Sequence, residues 1–136
     1  MQQDHSVIKL LEVLEASVLQ LEAHVRSGQP LPNASFLSSR RRAAAMLRAA
    51  LRYAGYWLPE RRLVAIDWGR QTSSAELWQT ERHIVQLYRD ALLDTAPDAP
   101  EYRLLVEQCA MAEAGLGSVA GIAYDWRPSV THVAHP

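Results

Sequence analysis

Proline and glycine cut this chain into four amphipathic stretches, and the cuts are unevenly spaced. From Val7 to Arg26 the apolar residues Val7, Leu11, Leu14, Val18, Leu21 and Val25 recur in alternating steps of four and three. That rhythm lays one apolar stripe along a helix. Gly28, Pro30 and Pro32 in "SGQPLPN" then stop it. Asn33 or Ser35 can cap a second helix with a seam of Leu37, Ala44, Leu47, Leu51, Ala54 and Leu58, which Pro59 ends. Ser73 to Glu76 reads S-x-x-E, a capping box opening a third helix through Leu77, Trp78, Ile84, Val85, Tyr88, Ala91 and Leu92. "TAPDAPE" closes that helix and starts a fourth, with Asp98 as its cap, Glu101 three residues on, and a seam of Tyr102, Leu105, Cys109, Ala112 and Leu116. The spacing predicts one 136-residue domain with helices over about 5–27, 35–58, 74–95 and 99–116, and a C-terminal tail over 117–136.

The links between these helices run short, long, short. Short links force antiparallel hairpins. The middle one, "PERRLVAIDWGRQT", has no helical period and contains an apolar run, "LVAI", that can be extended. A dozen extended residues span roughly 40 Å, enough to travel the length of a 20-residue helix. The expected fold is therefore an all-α four-helix bundle, two antiparallel hairpins joined by a long crossover, with helices 2 and 3 parallel.

Within "ELWQTERHIVQLYRDAL" the helical rhythm puts Glu81 on the apolar face, between Leu77 and Ile84. A carboxylate there is a ligand, half of an ion pair, or near enough to an end to reach water. Parallel helices 2 and 3 bring Arg40 and Arg41 to the depth of Glu81, and Arg41 lies near the seam extrapolated back from Ala44. Glu81 is thus expected to form a structural ion pair with Arg41 or Arg40 near one end of the bundle, where Glu22 and Glu113 also arrive.

The segment "ELWQTERHIVQLYRDALLDTAPDAPEYRLLVEQ" resembles the last two helices of small, uncharacterised bacterial ferritin-like proteins. The matching residues are Glu81-Arg82, then Tyr88-Arg89-Asp90-Ala91-Leu92, then Arg103, Leu105-Val106-Glu107 and Gln108. The resemblance implies the hairpin–crossover–hairpin fold and, in metal-binding relatives, a di-metal site built from two Glu and two Glu-x-x-His motifs. Here Ala110 stands three residues after Glu107, and between Asn33 and Pro59 there is no Asp, Glu or His. One wall of the bundle offers no ligand, so the expectation is a member without an intact di-metal site. The alternative is an atypical carboxylate site of Glu22, Glu81 and Glu113 serving a small-molecule or metal-dependent oxidoreductase.

The remaining chemistry is sparse. Arg40, Arg41, Arg42, Arg48 and Arg52 on helix 2 invite phosphate contacts, but helices 1, 3 and 4 are acidic and Glu12, Glu15 and Glu22 lie along the helix that must pair with helix 2. Neutralisation inside the bundle accounts for the run, and the net charge of −1 gives no pull toward nucleic acid. His5, His24, His83, His132 and His135 form no HxxxH pair; His132 and His135 sit in the tail without a carboxylate or thiolate partner. "HIVQLYRD" after His83 does not fit a phosphotransfer helix. Cys109 is the single cysteine, on an apolar seam, so no intrachain disulfide forms and it reads as a small core residue. "GLGSVAG" follows a helix, which removes a dinucleotide loop. "YDWRP", with Tyr124, Trp126 and Arg127, is the candidate interaction patch, since aromatic residues and Arg favour interfaces. The start "MQQDHSVIKLLEVLEASVL" has no basic leader and its apolar run is broken by acids, so neither signal peptide nor membrane span is expected. The sequence reads as a cytoplasmic, non-enzymatic bundle without cofactor, a homodimer or a subunit with a protein partner.

Overall fold

A computed structural model describes residues 4–58 and 74–125, with side chains over 6–58 and 75–117. The elements are α1 (Asp4–Arg26), α2 (Phe36–Tyr53), α3 (Ser74–Asp94) and α4 (Tyr102–Asp125), and the described residues contain no strand. α1 packs on α2 and α3, and α4 packs on α3 and α2. That leaves α2 facing α3, and α1 facing α4, across the two diagonals of a four-helix bundle.

Side-chain contacts give the directions. Glu22 meets Arg41 and Glu15 meets Arg48, so α1 and α2 are antiparallel. Ser6 at the start of α1 meets Asp94 at the end of α3, making that pair antiparallel as well. Tyr56 meets Glu101 and Ala43 meets Gln108, which sets α4 antiparallel to α2. α2 and α3, both opposed to α1, run the same way.

Both helices of the first hairpin end on glycine. Gly28 (φ +81) and Gly55 (φ +94) adopt the left-handed conformation open to a residue without Cβ. At α1, Gln29 N–H reaches the His24 carbonyl and Gly28 N–H that of Val25; at α2, Tyr56 N–H reaches Leu51 and Gly55 N–H reaches Arg52. These paired bonds satisfy carbonyls that the helix leaves open. Gly55 therefore ends α2 at Tyr53, five residues before the end expected from Pro59. At the other end of α2, the Asn33 side chain accepts from the Ser35 N–H and hydroxyl, while Ser35 itself makes no capping bond. α4 differs in the opposite sense, continuing to Asp125 where a tail was expected from 117. Gly115, Gly117 and Gly121 blur the apolar period there, and the cost of helical glycine, about 1 kcal/mol each, does not by itself stop the helix. Part of the expected Ser73–Glu76 capping box, Ser73 itself, and the "LVAI" run lie outside the described residues.

The core is in two parts. A large cluster joins Val7, Leu10, Leu11 and Leu14 to Leu47, Leu51, Ile84, Tyr88, Ala91 and Leu105. A small one, Leu21, Phe36 and Leu77, closes the end of the bundle near the α1–α2 turn, with Leu31, Leu37 and Trp78 against it. α1 does not keep the apolar seam read from its sequence. Val25 is 45% exposed, while Ser17 and His24 are fully buried and Val18 is left half-buried. A stripe on a straight helix drifts against a seven-residue repeat, and here the drift brings polar residues inward. Ser17 returns its hydroxyl to the Leu14 carbonyl, and the His24 Nε2 lies 3.1 Å from the Pro30 carbonyl.

Substituting the two kinds of glycine should have opposite effects. Gly55→Ala forces a Cβ into left-handed backbone and should cost about 1–2 kcal/mol. In Gly115→Ala the added Cβ meets the Phe36 ring at 3.6 Å, an ordinary contact, and should stabilise by roughly 0.5–1 kcal/mol. Urea unfolding midpoints of the two variants measure both signs.

Candidate functional site

Between the two apolar clusters lies a polar layer to which all four helices contribute. α3 supplies Glu81, 1% exposed, and α2 supplies Arg40, 8% exposed. The Arg40 Nη2 donates to Glu81 Oε1, and its Nη1 donates to Ser17 Oγ of α1 at 2.9 Å. The Phe36 ring lies under the guanidinium, 5.5 Å from its centroid. Further along α3, the Tyr88 hydroxyl donates to Gln108 Oε1 of α4 at 2.9 Å, and Gln108 Nε2 donates to the Ala43 carbonyl of α2 at 3.0 Å. Glu81 is thus an ion-paired carboxylate inside the bundle, sealed from the near end by Leu21, Phe36 and Leu77.

Arg41 is one correction to the reading of the sequence. It does not reach Glu81; it points outward and pairs with Glu22 at 2.7 Å. Neighbouring residues on a helix lie about 100° apart around its axis, so only one of Arg40 and Arg41 can face the core. The packed seam passes through Phe36, Arg40, Ala44, Leu47 and Leu51, so the step back from Ala44 that pointed to Arg41 lands on Arg40, and Leu37 is only half-buried. Arg48 completes the set, gripping Glu15 with Nε at 2.7 Å and Nη2 at 3.0 Å. This hydrogen-bonded carboxylate raises the Arg48 pKa, against the opposing effect of burial. The exposed Arg41–Glu22 pair adds little to stability.

The alternative trio does not assemble. Glu22 is held by Arg41, Glu81 by Arg40, and Glu113 by Arg89 at 2.8 Å, two turns beyond Glu81 on α3. Among the described residues there is no group of three or more His, Cys, Asp or Glu placed to hold a metal. Trp126 and Arg127 of the proposed patch lie outside the described residues, as do His132 and His135; Tyr124 falls within α4, but its side chain is not described.

The layer holds its protons tightly. Burial is the main cause that pushes the Tyr88 phenol well above its ordinary range, with Arg40 opposing and Cys109 and Glu81 reinforcing. Burial likewise raises the Cys109 thiol, with Glu113 adding to it and Arg89 opposing. Neither group is poised as a nucleophile or base near neutral pH. Glu81 Oε2, Gln20 Oε1 and Trp78 Nε1 are buried without a hydrogen-bond partner.

Sequence periodicity misses a second polar pair. Glu101, 2% exposed, accepts from the Tyr56 hydroxyl through Oε2 at 2.6 Å, while its Oε1 is buried without a partner. The sequence marks Glu101 only as standing three residues after the expected cap Asp98; α4 begins at Tyr102, and the carboxyl crosses to Tyr56 just beyond the end of α2. The only signal for this was Gly55, which turns the chain so that Tyr56 faces α4.

No protein-family model, curated protein or solved structure matches this chain.

Two measurements test the layer. Arg40→Met should destabilise by about 3–5 kcal/mol, and adding Glu81→Leu should recover most of that loss, because an unpaired buried charge is the costly state. For Tyr88, the folded phenol pKa is raised above the unfolded one. Its contribution is therefore fully present below about pH 10 and is lost as pH rises from there toward the folded value. Unfolding free energy should fall more steeply between pH 9.5 and about 11 in the wild type than in Tyr88→Phe.

Proposed function

We propose that this chain is a ferritin-like four-helix bundle without a di-metal site, working as an interaction or assembly protein and not as a catalyst. The observation that carries the reading is the Arg40–Glu81 pair: the least exposed carboxylate among the described residues is neutralised by an arginine, so it is committed to holding helices together. The common direction of α2 and α3 supports the crossover topology, since the link between them then has the length of the bundle to cover. The same pairing of Glu22 and Glu113 with surface arginines weighs against the oxidoreductase alternative.

Support for a surface role comes from the outside of the bundle. Tyr53 is 86% exposed, Leu93 85% and Met111 64%. Single exposed apolar residues are common, but Tyr and Met are enriched where protein surfaces meet. A homodimer is the simplest such assembly. No described helix is long and apolar enough to cross a membrane.

Protein purified without a histidine tag should contain no stoichiometric iron, manganese or zinc by elemental analysis, and tight stoichiometric metal would overturn the non-catalytic reading. Sedimentation should show a dimer or larger species at high concentration. A strict monomer that co-purifies with no other protein would remove the assembly reading.

A further inference from the structure

Beyond that role, a recess of about 370 Å³ opens between the C-terminus of α2 and the N-terminus of α4. That is within the size range of small-molecule sites, roughly 300–1,000 Å³. Its walls include Gly55, Tyr56, Trp57, Pro100 and Glu101. The left-handed Gly55 turns the chain after α2, which places Tyr56 and Trp57 over the start of α4.

We propose that this recess binds a primary alkylammonium ion, with Glu101 accepting a hydrogen bond from the ammonium and Tyr56 and Trp57 covering its methylenes. Glu101 is 98% buried by the complement of its 2% exposure, and its two oxygens are unequal. Oε2 is held by the Tyr56 hydroxyl, and Oε1 has lost water without gaining a donor. Oε1 is closed to solvent as the side chain stands, so the Glu101 carboxyl turns toward the recess to take an incoming N–H, and a positive donor satisfies it best. Trp57, 82% exposed, offers an aromatic face that attracts a cation. It is not held by the core, so it can swing over or away from the carboxylate without disturbing packing.

The C-terminal end of α2 adds negative partial charge on the same side. An anion is repelled by Glu101. Among the described residues a metal ion finds a single carboxylate there, too few ligands for a hard cation. A quaternary ammonium carries charge but no N–H, and leaves Oε1 unsatisfied. An ammonium of this kind is carried by a free amine or by a lysine side chain on another protein, and the recess recognises the chemistry they share.

The test uses the full chain at pH 7, following the backbone resonances of Gly55 and Ala99 and the Trp57 indole N–H by NMR. The probes are n-butylamine, N-acetyl-lysine methylamide, butyltrimethylammonium and n-butanol. Butylamine should produce saturable shifts and bind roughly ten- to hundredfold more tightly than butanol, with butyltrimethylammonium weaker than butylamine. Tighter binding of the lysine amide would identify a protein side chain as the source, and tighter binding of butylamine a free amine; both support the site. Glu101→Gln keeps an acceptor for Tyr56 and should lower butylamine to the level of butanol. Trp57→Ala, at an exposed position that leaves the fold intact, should weaken butylamine about two- to fivefold. Absence of saturable shifts at these positions, equal binding of butanol or butyltrimethylammonium, or unchanged binding in both variants would overturn the proposal.

Discussion

The arrangement of this bundle turns on the burial of one charge pair across its diagonal. α2 and α3 are not neighbours, yet Arg40 reaches through the interior to Glu81 and takes Ser17 of α1 on the way. Removing a carboxylate and a guanidinium from water costs several kcal/mol per ion, and the cost is offset only when the two meet in good geometry. Glu81 meets Arg40 through one oxygen while the other has no donor, so the pair adds little net stability over an apolar pair of similar volume. Its effect is on specificity: α1, α2 and α3 have one relative placement in which neither charge is stranded. The Tyr88–Gln108–Ala43 chain extends this restriction to α4.

The apolar clusters supply the driving force that the polar layer lacks. Leu10, Leu14, Leu47, Leu51, Leu77, Ile84 and Leu105 are each at most 1% exposed, and burying such a side chain contributes about 1.5–3 kcal/mol. The layer divides this core unequally, leaving three buried side chains beyond it at the end of the bundle. That small cluster keeps water away from the pair. Without it Glu81 would be an ordinary surface carboxylate two turns into a helix.

Much of this was legible in the sequence, because helical period and chain breakers are local signals. The seam of α3, including its misplaced-looking carboxylate, can be read directly from the spacing of Leu77, Glu81, Ile84, Tyr88 and Ala91. What was not legible depends on packing. Ser17 and His24 are buried in place of Val18 and Val25 because the drift of α1 against its neighbours, not residue polarity, sets which face is inside. The choice between Arg40 and Arg41 follows from a rotation of one residue that the sparse apolar residues of α2 do not define. Glu101 was obscured because its partner, Tyr56, lies beyond a helix end that only Gly55 marks.

The distance along the chain between Arg40 and Glu81 has a consequence for how the molecule forms. Contacts such as Glu15–Arg48 close within one hairpin, and loop closure of that kind is inexpensive and fast. The diagonal pair can form only when one hairpin docks on the other. Until then both ions keep their water, and a docking error of a single turn leaves each facing hydrocarbon. The pair therefore penalises every register but the one seen, since any other carries the cost of a stranded buried charge.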